Sequence, residues 1–454
     1  MTRRQHFGWF FSRGFGPQAW GRPDWRWGYD WTKPDLYQHS VRELEQAGLD
    51  LVIMEDAIST GTPETLDLRV RSAYGGPKHD PLLLAPYLFQ ATSRIGIVPT
   101  INAGATPPYL AARQAATLQH LSDGRFGINV VTDVKSARHF GLEEIDHDAA
   151  YDRAQEWLDV VRELWHSWGD GAYIADAATG HFADGSHIRA TRHDGEYFRV
   201  EGPLNAIPFT GSASGPENVD AFGTTAGDPA IVSPGGSGRG LGFAGANSDV
   251  QLALAPLNVD AVRAYRAKVA EAAEAAGRTA SDVKTLFVFK PEVVASEDEA
   301  KRVVDASRHP SDDELRAVLL GQSSDAETDL TGLDLDEPLD PSIFGPHVSR
   351  GTIKGLLGTA PSFDAQPLRD LLAAKARKGA VLDREGLVGT AGQLADFIEE
   401  LGEDAAGDGF IFSGDLHPVT VHRMLDDLVP ELRRRGILRT SYAPGGLRAN
   451  LTDF

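Results

Sequence analysis

The sequence predicts an α/β fold, a (β/α)8 barrel carrying insertion segments. Three observations lead there. Short apolar runs alternate with segments of helical period from residue 6 onward. The links between them are short through residue 132. The apolar runs number eight by the end of the chain, which closes a barrel better than it fills an open doubly wound sheet. Alternation of this kind means parallel strands joined by right-handed crossovers.

The elements follow in order. His6–Phe11 is a short aromatic and apolar run, the first strand. Asp35–Ala47 has apolar residues at Leu36, Val41 and Leu44 and stops at Gly48, which is a helix with a C-terminal glycine. Leu49–Asp56 carries the apolar run Leu51–Met54 and ends in two acids, as a buried parallel strand would. A helix at Pro81–Thr92 leads to a strand at Arg94–Thr100. PPYLAARQAATLQHLSDG is a helix opened by proline and closed by glycine, and Arg125–Thr132 is the fourth strand. Ala150–Trp168 is a long amphipathic helix. Strands are then predicted at Pro229–Pro234, Val250–Ala255 and Lys284–Phe289, with an alanine-rich helix at Val259–Ala276. Gly409–Phe412 is the last strand, and a helix at Pro418–Arg435 closes the order.

Segments at about 169–228 and 311–389 break the pattern. Gly169–Gly202 is turn-rich and predicts a hairpin or two, and Phe209–Asp228 is polar and glycine-rich without a period. Ser311–Gly389 is long and holds acidic turns such as DLDEPLD. They read as excursions from one domain spanning residues 1–454, and loops of this length are often lids or interface elements.

Composition removes whole classes of function. The 65 acids outnumber the 44 lysines and arginines, for a net charge of −21 and no basic block, so nucleic acid is not a predicted partner. There is no cysteine, which excludes disulfides, thiolate nucleophiles and cysteine-ligated metals. No apolar run reaches the ~20 residues of a membrane span, nor does the first stretch hold a secretory apolar core of roughly 7–15 residues. The expectation is a cytoplasmic protein with no membrane partner.

In barrels of this kind the site lies at the C-terminal ends of the strands. Those ends read Glu55 and Asp56, then Thr100 and Asn102, then Asn129, Thr132 and Asp133, then SPGGSGRG, and last Ser413, Gly414 and Asp415. Neutral hydrogen-bonding groups dominate, which suits holding a large polar cofactor better than activating a side-chain nucleophile. Any single one of them also reads as a turn or cap residue. SPGGSGRG (Ser233–Gly240) is the strongest local signal. Its glycines let amides turn towards an anion, a helix beginning just afterwards would add its positive end, and Arg239 would add a charge. A flexible loop is the competing reading. The glycines do not fit G-x-G-x-x-G. His139 and His147 stand near Glu143, Glu144 and Asp146, yet H-E-x-x-H is absent, and no metal is assigned. G-x-S-x-G and P-loop motifs are also absent.

Long blocks carry a resemblance. They include DLYQHSVRELEQAGLDLVIMED, TSRIGIVPTINAGATPPYLAARQAATLQHLSDGRFGINVVTD, HFGLEEIDHDAAYDRAQEWLDVVRELWHSW, HDGEYFRVEGPLNAIP, GTAGQLADFIEE and VPELRRRGILRTSYAPGGLR. In these the chain resembles the flavin-dependent monooxygenases typified by the nitrilotriacetate and dibenzothiophene-sulfone enzymes, a branch of the bacterial-luciferase-like barrels. The resemblance implies a (β/α)8 barrel binding reduced FMN (FMNH2), which a separate NAD(P)H-dependent flavin reductase supplies. It also implies O2 as co-substrate, reaction through a flavin peroxide, and a homodimer or homotetramer. Carried over position by position, Asp56, Thr100 and Asn129 match residues beside the flavin ring. His147 and Tyr151 match groups near its phosphate end, and Ser237 and Gly238, with Arg239 beside them, match the phosphate loop. In related ring-opening oxygenases the equivalents of Thr100 and Asn129 are thought to hold dioxygen, which makes these two the catalytic candidates. The loop after the first strand departs from the family, where histidines are common, because SRGFGPQAWGRPDWRWGYDW contains none.

That loop holds WRWGYDW, with Trp25, Trp27, Tyr29 and Trp31 spaced by two. In an extended segment such residues share one face. A lid of these rings would exclude water and stack on a flat substrate, with Phe10 and Trp20 lining the same pocket. Packing under the long insertion or at a subunit contact is the alternative. The function implied is oxidation of a planar heteroaromatic or organosulfur molecule. Oxidative cleavage of riboflavin to lumichrome and a deazaflavin-dependent dehydrogenase stand as alternatives.

Overall fold

The computed structural model describes residues 2–12, 30–61, 63, 65–70, 73, 76–169, 171–207, 209, 227–326, 328–345, 348, 350–414 and 421–454. Strands form where the apolar runs lie. β1 (His6–Phe11), β2 (Leu51–Met54), β3 (Gly96–Asn102) and β4 (Gly127–Val131) succeed one another with helices between them. β5 (Tyr173–Asp176) pairs with β6 (His181–Ala183), and β7 (Arg192–Asp194) with β8 (Arg199–Glu201), as two antiparallel hairpins outside the wall. β9 (Ala230–Pro234), β10 (Val250–Ala253) and β11 (Lys284–Phe289) resume the wall. β12 (Glu292–Val294) pairs in parallel with β13 (Val388–Thr390), and β14 (Gly409–Gly414) returns to β1. The closed order round the barrel is β1-β14-β11-β10-β9-β4-β3-β2.

Strand alternation sorts the side chains. Leu51, Ile53, Val98, Ala230, Val232, Val250, Leu252, Leu286 and Ile411 face inward and pack with Phe10 and Val288. Phe7, Trp9, Val52, Met54, Ile97, Ile101 and Ile128 face outward, against helices that contribute Tyr37, Leu88, Ala112 and Trp157.

Predicted boundaries shift for identifiable reasons. The helix expected from Ala150 begins at His147, because the Asp146 carboxylate accepts the amides of Asp148 and Ala149 at 3.0 and 2.8 Å. The closing helix is not uniform. Residues Arg423–Leu428 wind as a π-helix before an α-helical turn at Val429–Arg434. Pro430 has no amide hydrogen to give, so the ladder widens there. The predicted start of that helix, at residues 418–420, lies outside the described residues. So does most of Phe209–Asp228, although Phe209 itself is buried between the rings of His120 and Trp165.

The long excursion is wider than its sequence indicates. The chain leaves the wall after Phe289 and regains it at Gly409, with the β12–β13 pair at the base. Beyond that base, helices Asp312–Ala326 and Leu368–Ala376 gather their own apolar cluster, with Leu315, Leu319, Leu371 and Leu372 at its centre. Among the described residues no helix is long and apolar enough to cross a membrane.

The N-terminal end of the barrel is closed by a helix that periodicity did not reveal, Leu447–Thr452. Leu447 and Leu451 join the interior cluster. They fit because Gly96 and Gly127 carry no side chain. A methyl on Gly96 would stand 2.5 Å from Leu447 Cδ1, and one on Gly127 would stand 3.1 Å from Leu447 Cδ2. Leu447→Ala should therefore lower stability by about 2–5 kcal/mol, and Gly96→Ala by about 1–3 kcal/mol through overpacking. Combined, the two should cost less than their sum, because the new methyl occupies vacated space. Thermal unfolding of the three variants checks this, and strictly additive losses would show that Leu447 does not fill that space.

Candidate active site

Thr100 on β3 and Asn129 on β4 are register partners. They lie two residues beyond Val98 and Gly127, so they share the inward parity and form a polar ledge above an apolar interior. Asn129 Nδ2 donates to Thr100 Oγ1 at 2.8 Å, and that hydroxyl donates to the Met54 carbonyl on β2 at 2.7 Å. One hydrogen-bond chain thus crosses three neighbouring strands. Because the threonine proton goes to Met54, the amide must present its N–H to threonine. That leaves Asn129 Oδ1 buried with no partner among the described residues. A buried acceptor left unpaired costs about 1–3 kcal/mol, so a ligand donor is the natural completion of this ledge.

Beside it, at the end of β2, stand Glu55 and Asp56. Lys78 Nζ lies 2.7 Å from Glu55 Oε2 and 3.7 Å from Asp56 Oδ1. The Lys78 side chain is only 6% exposed. Burial pushes the Asp56 carboxyl up to about 6, with Lys78 opposing that rise and Glu55 adding to it. Among the described residues one ammonium thus stands between two carboxylates. Sequence reading missed Lys78. It sits in a loop more than twenty positions from the strand end, with no motif around it.

The second anchor is the turn after β9. Ser237 caps helix Gly238–Asn247, its Oγ accepting the Gly240 amide at 3.1 Å. The amides of Gly238 and Arg239 open that helix, so intrahelical geometry gives them no partner, and the helix adds its positive end. Gly235 has φ +119°, and a methyl there would stand 2.7 Å from the Tyr151 hydroxyl. His147 and Tyr151 arrive from the helix after β4. Their rings meet edge-on at 5.2 Å, and His147 Nε2 lies 3.5 Å from Ser237 Oγ. The structure thus brings His147, Tyr151, Ser237 and Gly238 together. Arg239 contacts the same helix. Its guanidinium pairs with Asp152 and donates to the Asp148 carbonyl, so its charge is neutralised while it pins the loop to the neighbouring helix.

The remaining sequence candidates divide. Phe10 is half-buried on the inner wall, in register with Ile53 and Ser413. Trp20, Trp25 and Trp27 lie outside the described residues, as does Tyr29. Trp31, the last ring of the aromatic stripe, packs against the core, and its carbonyl accepts from the Tyr37 hydroxyl at 2.7 Å and from the His79 ring at 3.1 Å. Asn102 is a turn builder, donating to the Asp133 carbonyl at 2.8 Å and accepting the Gly104 amide at 2.9 Å. Asp133 in turn accepts the Lys135 amide at 3.0 Å. His139, Glu143 and Glu144 are exposed, and among the described residues no three such groups gather as metal ligands would.

The rim therefore offers a hydrogen-bonding ledge over an apolar interior and a glycine-rich turn whose leading amides open a helix. Comparison with known proteins gives the family. The profile of the luciferase-like monooxygenases matches residues 12–408. The dibenzothiophene-sulfone monooxygenase of Rhodococcus erythropolis (strain XP) is 32% identical over 467 residues, spanning 99% of this chain and 97% of that protein. Nitrilotriacetate monooxygenase component A of Aminobacter aminovorans is 30% identical over 429 residues, spanning 92% and 90%. The crystal structure of a riboflavin lyase with modified FMN and riboflavin superposes with a TM-score of 0.77 at 26% identity, over 99% of this chain and 96% of that one. With a closed eight-stranded parallel barrel and a family match over most of its length, this chain belongs to the luciferase-like monooxygenase family.

Proposed function

We propose that the chain is the oxygenase of a two-component system, using FMNH2 and O2 to oxidise a planar heteroaromatic or organosulfur molecule. A separate NAD(P)H-dependent reductase supplies the flavin. The observation that carries the reading is the Met54–Thr100–Asn129 hydrogen-bond chain, with its buried orphan Asn129 Oδ1. The residues fit the cofactor at both ends. A reduced flavin ring has N–H groups to offer that oxygen, and its phosphate suits the amides around Ser237 and Gly238. The relative named as component A supports the two-component arrangement. Protein of this kind works in the cytoplasm as a homodimer or homotetramer.

Bound reduced flavin supplies the electrons with which dioxygen is activated. The chain's own residues do the rest. Asn129 and Thr100 would hold the ring by hydrogen bonds. Asp56, half-protonated near pH 6, would hold or release a proton at its carboxyl. His147 and Tyr151 would help hold the phosphate, and Arg239 steadies the loop through Asp152. Phe10 lines the apolar interior, where excluding water would keep reduced oxygen from being wasted.

A second reading has its own support. Likeness to the riboflavin lyase makes riboflavin itself a candidate flat substrate, cleaved to lumichrome.

Anaerobic titration with FMNH2, then oxygen uptake with a generic flavin reductase and a substrate panel read by mass spectrometry, tests the assignment. Oxygenated product supports the first reading, and lumichrome from riboflavin the second. Protein that binds no FMNH2 and leaves oxygen uptake unchanged would sink both, and reduction of a deazaflavin without oxygen would replace them. Thr100→Ala and Asn129→Ala should each cut product formed per flavin oxidised by about tenfold, the scale of one buried hydrogen bond. Normal coupling in both variants removes their catalytic role.

A pH prediction follows from Asp56. Its folded value of about 6 lies above the usual 3.8, so the folded protein binds that proton more tightly than the unfolded chain. The resulting stabilisation is complete below about pH 4 and is lost as pH rises through about 6. Asp56→Asn should therefore be more stable than wild type by up to about 2 kcal/mol at about pH 7.5, with the gap closing below about pH 4. Parallel melting curves across that range would contradict the buried, proton-holding carboxyl.

A further inference from the structure

We propose that Gln251 is a positioning residue that sets the amide cradle at Gly235–Gly238, and that it thereby sets preference for phosphorylated over unphosphorylated flavin. This rests on the FMN reading above.

Val250 and Leu252 of β10 face the barrel interior. Gln251 between them must face outward, towards Tyr265 of helix Val259–Ala275, and it is 0% exposed. An aliphatic side chain would fill that place without burying an amide, whose burial is costly unless fully bonded. The amide is bonded, and towards the loop. Gln251 Nε2 donates to the Gly235 carbonyl at 2.8 Å. It also lies 3.2 Å from the Tyr265 hydroxyl and 3.3 Å from the Leu252 carbonyl. Its Oε1 accepts from Ser233 Oγ at 3.3 Å, and Ser233 Oγ shares a hydrogen bond of 2.7 Å with Ser248 Oγ.

The Gly235 carbonyl also receives the Tyr265 hydroxyl at 3.3 Å. Burial holds that phenol above its ordinary range, so it stays an O–H donor. Two donors thus draw one carbonyl back towards the barrel wall. In a planar trans peptide the carbonyl and the following N–H point in opposite directions. The Gly236 amide is therefore turned away from the wall, to the side where Gly236, Ser237 and Gly238 are exposed. Glycine at 235 makes the turn possible at φ +119°, and Gln251 with Tyr265 selects it. These contacts act on the Gly235 carbonyl and share no hydrogen bond with the Thr100–Asn129 pair, so their effect would fall on the anion end.

The test is anaerobic binding of reduced FMN and reduced riboflavin to wild type, Gln251→Met and Tyr265→Phe. Wild type should prefer FMN. Gln251→Met should lose about tenfold in FMN affinity while riboflavin affinity stays within about twofold, and Tyr265→Phe should shift the ratio the same way by less. An unchanged FMN-to-riboflavin ratio in the variants, or an equal loss for both ligands, overturns the inference and leaves the FMN reading standing. If Gln251→Met fails to fold, the ratio in Tyr265→Phe decides in the same two directions. Wild-type protein that binds neither flavin overturns the inference together with the reading beneath it.

Discussion

The pairing of Thr100 with Asn129 across β3 and β4 is the constraint on which the site depends. Side chains alternate along a strand, so the same register that lifts these two polar groups into the mouth puts Val98 and Gly127 beneath them. A slip of one residue in either strand would turn the ledge outward and bury it against helices. The register is held from below. Leu447 fits against Gly96 and Gly127, so the helix that seals the floor and the glycines that admit it set the height at which the ledge stands.

Above that floor the protein keeps polar groups in places where apolar ones would be more stable. Among the described residues Asn129 Oδ1 is buried without a partner, and the partly buried Asp56 shares Lys78 with Glu55. Gln251 occupies an outward position that a leucine would fill. Each departure lies at or just behind the C-terminal rim. Departures of this kind from the best local choice mark a site where function competes with stability. The two anchors differ in kind. The ledge is built from side chains on rigid strands, while the cradle is built from backbone amides whose direction is set by side chains behind them.

Pairing also explains which charges matter. Arg239 looks in sequence like the natural partner of an anion, yet Asp152 holds it, and the cradle relies on amides and a helix end instead. The aromatic stripe shows the same lesson at its one described ring. Trp31 packs against the core and receives Tyr37 and His79 at its carbonyl.

The sequence by itself determined the eight-strand order, the alternation that makes the strands parallel, and the rim residues Asp56, Thr100, Asn129 and Ser237. These are local signals, readable as apolar runs, closing polar residues and a glycine-rich turn. Only the tertiary structure decided the rest. Lys78 joins Glu55 and Asp56 across 23 and 22 positions of chain, Arg239 meets Asp152 from 87 positions away, and Leu447 plugs a floor formed by Gly96 and Gly127. Such contacts leave no periodic trace. They arise because barrel closure brings distant strand ends to one rim, and the pairing of a buried charge or amide depends on which neighbour arrives there, not on the residues beside it in the chain.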